Sequence, residues 1–307
     1  MTTPSPAKND DSLSGFFYAL SAYLIWGFLP LYMKALAHVP PAEVLAHRIL
    51  WSLPIALAVL LLRGRTADLK AAFRTPRMLG MGIATASLVS VNWGIYVWAI
   101  GSGHAMEAAL GYYINPLFSV LLGRLLLSET LRPAQWAAIA LAGAAVALLT
   151  IASGSLPVVA LALTLTWGFY AYLKKSLPIG PNQGFALEVA LLTPFALAYV
   201  GYLTATGTGH FLQDVPWDTA LLLGTGVVTA VPLMLYANGA KGLRLSTIAM
   251  MQYIAPTMIF LTAVFIFGEP FGQARAIAFP MIWAALALYT ASMLRARKQS
   301  LRAGRSG

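Results

Sequence analysis

The side chains in this sequence that can do chemistry are few, and most lie in apolar surroundings. Arg48 closes the segment Glu43-Val44-Leu45-Ala46-His47-Arg48 within a long apolar run. An Arg at the centre of a membrane helix costs about 2.5–3.5 kcal/mol on insertion scales, so its presence calls for a reason. Two readings are open. The guanidinium faces a cavity and meets an anionic or polar solute, or it forms a structural ion pair with Glu43 or Glu107, or snorkels outward. Glu188 stands 140 positions after Arg48. It either pairs with Lys174 or Lys175 or joins Glu107 as a candidate group for proton coupling. The second set is aromatic and amide: Trp26, Tyr32, Asn92, Trp93, Tyr96, Tyr112, Asn115, Trp167, Tyr170, Tyr236 and Gln252. With His47 and Arg48 these are the candidate substrate-binding residues. Amides beside aromatics can line a pocket for a planar or amphipathic solute, or they can pack one helix on another. Trp51, Tyr202 and Trp217 are assigned to interfacial aromatic belts.

Bond-making chemistry finds no comparable set. The chain has no Cys, and its four His, at 38, 47, 104 and 210, are scattered with no HExxH spacing. No thiol chemistry, metal or other cofactor is therefore expected. Ser90 and Ser119 lie in apolar runs but have no base beside them, and an intramembrane enzyme needs a nucleophile–base pair or paired acids. All five Asp, at 10, 11, 68, 214 and 218, are expected in the tail and loops. The chemistry on offer is recognition of a solute.

The elements that must position these groups are membrane spans. Of 307 residues 59% are hydrophobic and 10% charged, with a mean hydropathy of +0.74, whereas soluble domains carry about 25% charge. A span needs about 20 apolar residues. Ten runs qualify: 15–36, 42–62, 78–100, 105–126, 132–151, 156–174, 183–203, 217–238, 245–267 and 275–294. None alternates as a barrel strand does, so the expected fold is all-α, an integral membrane protein of ten transmembrane helices.

The chain also repeats. Gly111-Tyr112-Tyr113-Ile114-Asn115-Pro116 is echoed by Met251-Gln252-Tyr253-Ile254-Ala255-Pro256, and the same offset of 140 joins Tyr96 to Tyr236, Leu121 to Leu261, Glu129 to Glu269 and Pro54 to Pro194. Trp26-Gly27-Phe28 recurs as Trp167-Gly168-Phe169 at an offset of 141. A constant offset over such a length marks a duplicated unit. Five spans per unit make the second copy enter the membrane from the opposite side, an inverted-topology repeat as in many secondary transporters. The expected division is a polar tail 1–14, a first five-helix unit 15–152, a second 156–294 and a basic tail 295–307. Pro116 and Pro256 are expected to interrupt their spans at matching places, with Pro30, Pro54, Pro194 and Pro232 as further breaks. The fifth and tenth runs are rich in Ala and lack central polar groups, which suits scaffold helices.

Loop charge sets the orientation. Of the 20 Lys and Arg, Arg48 lies within a run, Lys34 and Arg275 fall on one side, and the other 17 fall on the side of both termini. Both termini are therefore expected in the cytoplasm. The net charge of +10 serves this orientation rather than nucleic acid binding. The N-terminal run lacks a basic leader and a cleavage site, so it reads as a retained helix.

The motifs Tyr23-x-x-Trp26-Gly27-x-x-Pro30-x-Tyr32, Glu43-x-x-Ala46-His47-Arg48-x-x-Trp51-Ser52, Asn92-Trp93-x-x-Tyr96, Leu110-Gly111-Tyr112-Tyr113-Ile114-Asn115-Pro116 and Gln252-Tyr253-Ile254-Ala255-Pro256-Thr257 resemble the RarD branch of the EamA family, in the drug/metabolite transporter superfamily. The resemblance covers residues 14–294. It implies two EamA units in a bacterial inner membrane, with a central cavity lined mainly by spans 1, 3, 4, 6, 8 and 9 and with spans 5 and 10 outside. It places Trp26, Asn92, Tyr96, Tyr112, Trp167, Tyr170, Tyr236 and Gln252 on helices that can face the cavity, and Arg48 on a gating span. The expected function is a secondary transporter that exports a small organic metabolite or amphipathic drug by alternating access. An uncoupled facilitator or exchanger and a non-transporting membrane sensor are the alternatives. A channel would show charge rings or a filter motif, and none is visible.

Overall fold

The computed structural model describes residues 12–127, 131–176, 178–213, 215–241, 243 and 251–303. Glu129, Asp214, Arg244, the 245–250 opening of the ninth run, residues 1–11 and 304–307, and the Lys175 side chain lie outside the described residues. All regular elements described are helical: α1 (Leu13–Ala35), α2 (Pro41–Leu62), α3 (Ala67–Arg74), α4 (Pro76–Gly101), α5 (Ala105–Leu127), α6 (Pro133–Ser153), α7 (Val158–Ser176), α8 (Pro181–Thr206), α9 (Pro216–Lys241), α10 (Ile254–Leu261), which continues as a π-helical turn (Thr262–Ile266), and α11 (Gln273–Ala303). Eight of them, α1, α2, α4, α5, α6, α8, α9 and α11, are long and apolar enough to cross a membrane. Val158–Lys174 and Ile254–Ile266 are shorter apolar helices.

Local chemistry explains the ends. Pro opens α2, α4, α6 and α8, where its missing N–H would have had no intrahelical partner. Gly154 and Gly207 close α6 and α8 with φ of 68° and 67°, a left-handed cap that a Cβ disfavours. Pro30, Pro54, Pro116, Pro194 and Pro232 stand inside continuous helices. Pro256 does not. The chain turns at Gln252 and Tyr253, and Pro256 sits in the first turn of α10, where it removes no intrahelical bond. The matching prolines thus have unlike surroundings. Between α2 and α4 the amphipathic helix α3 buries Leu69 and Ala72. One further expectation is corrected. Asp218 is no loop residue but lies buried in the first turn of α9.

Contacts between distant helices come in related sets. α1 packs on α9 and α10, and α7 packs on α4 and α5. α2 packs on α9, as α8 does on α4, while α2 meets α8, α5 meets α10 and α6 meets α11. In lipid, close packing of small residues must do what the hydrophobic effect does in water. A Cβ on Gly27 would collide with the Met258 side chain, and one on Gly168 with the Phe118 ring. Gly111 is pressed against the backbone of Ala160. Where α6 meets α11, Ala138, Ala142 and Ala145 are buried on one helix and Ala278, Ile282 and Ala285 on the other.

One end of the bundle gathers the connections at 36–40, 102–104, 154–157, 207–215 and 267–272. There Glu269 crosses to the start of α5 and accepts from the N–H groups of Ala105 at 2.7 Å and Met106 at 2.9 Å. The carboxylate satisfies two orphan donors and sits at the positive end of the helix dipole. Glu269→Ala is expected to cost about 1–3 kcal/mol, with part of the loss recovered in Glu269→Gln, read as the melting temperature in nanodiscs. Gly27→Leu should lower the same melting temperature, because overpacking costs about 1–3 kcal/mol. Gly143→Leu, at a position with no neighbour within 4 Å, should leave it unchanged.

Candidate functional site

The most polar point in the interior is built around Arg48. Its side chain is 3% exposed, and Nε donates to Thr229 Oγ1 on α9 at 3.0 Å. Thr229 Oγ1 in turn donates to the Thr225 carbonyl at 2.7 Å, so its lone pairs are left for Arg48. The guanidinium carbon lies 4.9 Å from the centroid of the Trp93 ring on α4. A desolvated cation over an indole is worth about 2 kcal/mol. Tyr96, one helical turn beyond Trp93, and Tyr112 on α5 lie within electrostatic range of the guanidinium, with their rings 5.9 Å apart. Arg48, Trp93, Tyr96 and Tyr112 are therefore one cluster, walled by α2, α4, α5 and α9. Within it Arg48 Nη1 and the Tyr96 hydroxyl are buried and have no hydrogen-bond partner.

The ion pairs foreseen for Arg48 are not formed. Glu43, fully buried, accepts from the His210 backbone N–H at 2.6 Å through one oxygen and meets His210 Nδ1 at 2.9 Å through the other. Glu107 lies elsewhere, in a cleft of about 90 Å³ lined also by Ser153, Ser155, Arg275 and Phe279. At the same end His38 Nε2 contacts Asp218 at 3.0 Å, and its ring lies 6.1 Å from that of His210. These two carboxylate–histidine contacts join the α1–α2 connection and α2 to the 207–215 connection and α9. At the opposite end Arg63 donates to Asn238 at 2.9 Å and Gln183 to Asp68 at 3.3 Å, joining α2 to α9 and α8 to α3. Polar links between residues 12–127 and residues 178–241 thus stand at both ends, with Arg48–Thr229 and the backbone-directed Tyr32–Leu221 and Ser52–Gly226 bonds as further links.

The remaining candidates fall into separate groups. Trp26 and Tyr236 lie 5.6 Å apart with Tyr23 against both, at the α1–α9 contact beside Met251 and Ile254. Trp167 and Tyr170 lie 5.4 Å apart on α7. Tyr170 donates to Glu188 at 3.2 Å, and Lys174 binds the other oxygen of Glu188 at 2.6 Å, so Glu188 has the lysine partner that its sequence surroundings suggested. Asn92 is turned to α7, donating to the Leu163 carbonyl and to Thr166. Tyr32 donates to the Leu221 carbonyl. His47 accepts from Trp51 at 3.0 Å and packs on Phe211, so the half-buried Trp51 is tied to His47. Tyr202 and Trp217 are exposed. Asn115 is buried with its side-chain oxygen free, and Gln252 stands in the turn that precedes α10. Among the described residues no three His, Cys, Asp or Glu gather as a metal site. Thr229, His38, His210 and Asp218 were missed as polar partners between helices. Each lies more than 160 positions from the group it meets or in a segment read as loop, and no local pattern marks it.

Residues 13–151 match the EamA-like transporter family. An uncharacterized transporter of Vibrio cholerae is 41% identical over 294 residues, covering 95% of this chain and 97% of that protein. The protein RarD of Escherichia coli strain K12 is 36% identical over 286 residues, with 93% and 97% covered. A crystal structure 22% identical in sequence superposes with a TM-score of 0.58, covering 90% of this chain and 96% of the other, which supports the same fold. Members of this family are membrane transporters and not enzymes, and the two named relatives are bacterial. The chain belongs to the EamA-like transporter family, in its RarD branch.

Proposed function

We propose that this protein is a secondary transporter that moves a small organic solute across the bacterial inner membrane by alternating access. In this reading the chain forms ten spans, the eight long helices with α7 and with α10 and its preceding segment. They divide into inverted units at 15–152 and 156–294, with a polar tail at 1–14, a basic tail at 295–307 and both termini cytoplasmic. The related helix contacts support the two units. So do the buried positions that recur at an offset of 140 or 141: Gly27 with Met258 beside Gly168 with Phe118, and Ala138, Ala142 and Ala145 beside Ala278, Ile282 and Ala285.

The observation that carries the reading is the placement of polar links at both ends of the bundle around a buried polar cluster. Alternating access requires the two halves to separate at one end while staying joined at the other. His38–Asp218 and Glu43–His210 form one clasp; Arg63–Asn238 and Asp68–Gln183 form the other. Each link is a few directional contacts that can open without unpacking a core. The Arg48 cluster between the clasps is the substrate site, with Trp26, Tyr236 and Gln252 along the α1–α9–α10 wall and Trp167 and Tyr170 along α7. The solute moves outward. A RarD relative of Pseudomonas aeruginosa carries the name chloramphenicol-sensitive protein, which suits an amphipathic organic cargo. Glu188 is already held by Lys174 and Tyr170, and this favours uncoupled exchange as the second reading over proton coupling through that carboxylate.

The absence of Cys makes the first clasp directly testable. In the His38→Cys, Asp218→Cys variant, a short cleavable bis-thiol reagent should abolish solute counterflow in proteoliposomes, and cleavage should restore it. Either single variant treated alike should keep its flux. Undiminished counterflow in fully cross-linked protein would remove alternating access at this end.

A further inference from the structure

We infer that the solute is an organic monoanion whose carboxylate binds between Arg48 and Tyr96; this rests on the transport reading above and names the substrate class of that site. Arg48 is 3% exposed, and Thr229, to which its Nε donates, is neutral. A buried cation without a counter-charge is costly, and such charges are paired or hydrogen-bonded. Among the described residues the four buried carboxylates are all engaged with other partners. Glu43, five positions before Arg48 on the same helix, gives both oxygens to His210. Asp218 meets His38, Glu188 binds Lys174 and Tyr170, and Glu269 caps α5. The counter-charge that Arg48 lacks is left to a ligand.

The donors give its form. Arg48 Nη1 and the Tyr96 hydroxyl are both buried and both unpartnered. An ionised carboxyl only accepts hydrogen bonds, and its two oxygens can take one from a guanidinium N–H and one from a phenol O–H. One guanidinium beside neutral hydroxyls balances a single negative charge; a phosphate dianion would leave one unbalanced in a low-dielectric site. The walls give the rest of the solute. Trp93 lies under the guanidinium, and the rings of Tyr96, one helical turn beyond it, and Tyr112 stand 5.9 Å apart. These surfaces suit an aryl or alkyl body attached to the carboxylate.

Matched acids and amides separate charge from shape. The probes are benzoate, phenylacetate and hexanoate against benzamide, phenylacetamide and hexanamide. They are titrated at millimolar concentration against the full chain in nanodiscs, with the melting temperature as readout. A ligand bound to the native state alone raises that temperature. The expected result is stabilisation by at least one acid and none by its amide, lost in Arg48→Gln. Tyr96→Phe should weaken the acid about ten-fold, as expected for one hydrogen bond to a charged group. It should not lower the melting temperature of the ligand-free protein, because the hydroxyl has no partner to lose. That variant keeps the test open if Arg48→Gln fails to fold. Equal stabilisation by acid and amide, no stabilisation by any acid, or undiminished binding in Arg48→Gln or Tyr96→Phe would overturn the inference. Counterflow in proteoliposomes separates the two claims. Counterflow of a neutral solute that survives Arg48→Gln overturns the anion and leaves transport standing. Acid binding through Arg48 without counterflow overturns transport and leaves the anion site.

Discussion

The rest of this structure depends on the lack of water in the hydrocarbon. A backbone or side-chain polar group placed there finds its partner within the protein or goes without, at a cost of several kcal/mol. All the regular elements described are helices because a helix satisfies its own backbone. The side chains obey the same rule. Thr150, Thr164, Thr166, Thr193 and Thr229 each return a hydroxyl to the carbonyl four residues earlier. Glu269 is spent on two amides and Glu43 on His210. Beside groups so fully satisfied, the unmatched atoms stand out: Arg48 Nη1 and the Tyr96 hydroxyl, with His47 Nε2, the side-chain oxygens of Asn92, Asn115 and Asn182, and the Tyr253 hydroxyl. An unsatisfied group is tolerated where something else satisfies it part of the time, as a transported solute would.

What was legible in the sequence follows from the range over which each constraint acts. Span length is imposed by bilayer thickness, so apolar runs such as 42–62 and 132–151 fall within a few residues of α2 and α6. The offset of 140 could be read because sequence similarity needs no structure, and at the same offset Ala138, Ala142 and Ala145 and Ala278, Ile282 and Ala285 lie buried where α6 meets α11. Short-range chemistry was also readable: Lys174 and Glu188 are 14 positions apart and flank one helix–helix connection. Contacts set by bundle geometry were not. Glu43 and His210 are 167 positions apart, and Arg48 and Thr229 are 181. Nothing in either local pattern says which of the available polar groups will face the other across a helix pair. The expected Arg48–Glu43 pair failed for this reason. The two are neighbours on one helix, but Glu43 meets His210 in the connection before α9.

Packing and chemistry divide the two proposed units differently. The packing is shared. Gly27 and Gly168 both admit a side chain from the helix laid over them, Met258 in one case and Phe118 in the other, and α1 and α7 use equivalent partners. The ionised groups are not shared. Arg48 and Glu188 occupy positions 140 apart, yet one is a cation without a carboxylate and the other a carboxylate holding a lysine. Tyr113 bonds Thr257 at 2.6 Å, whereas its counterpart Tyr253 has a buried hydroxyl with no partner. α5 runs through Pro116, whereas the described chain breaks at Gln252 and resumes before Pro256.

This division has a mechanical consequence. Two units with equivalent packing can exchange conformations at little net cost, since side chains that part at one end are matched by counterparts that close at the other. Under the proposed alternating access, packing alone would therefore leave the two access states close in free energy. It cannot make either state prefer a solute. That preference has to come from groups that lack a counterpart, because a ligand shifts such an equilibrium only by its differential affinity for the two states. Arg48 is such a group. In the proposed transport cycle, a solute that neutralises it would act on α2, α4 and α5 of one unit and through Thr229 on α9 of the other. The charge that is expensive to keep in the membrane would thus be the group through which a solute moves the two halves against each other.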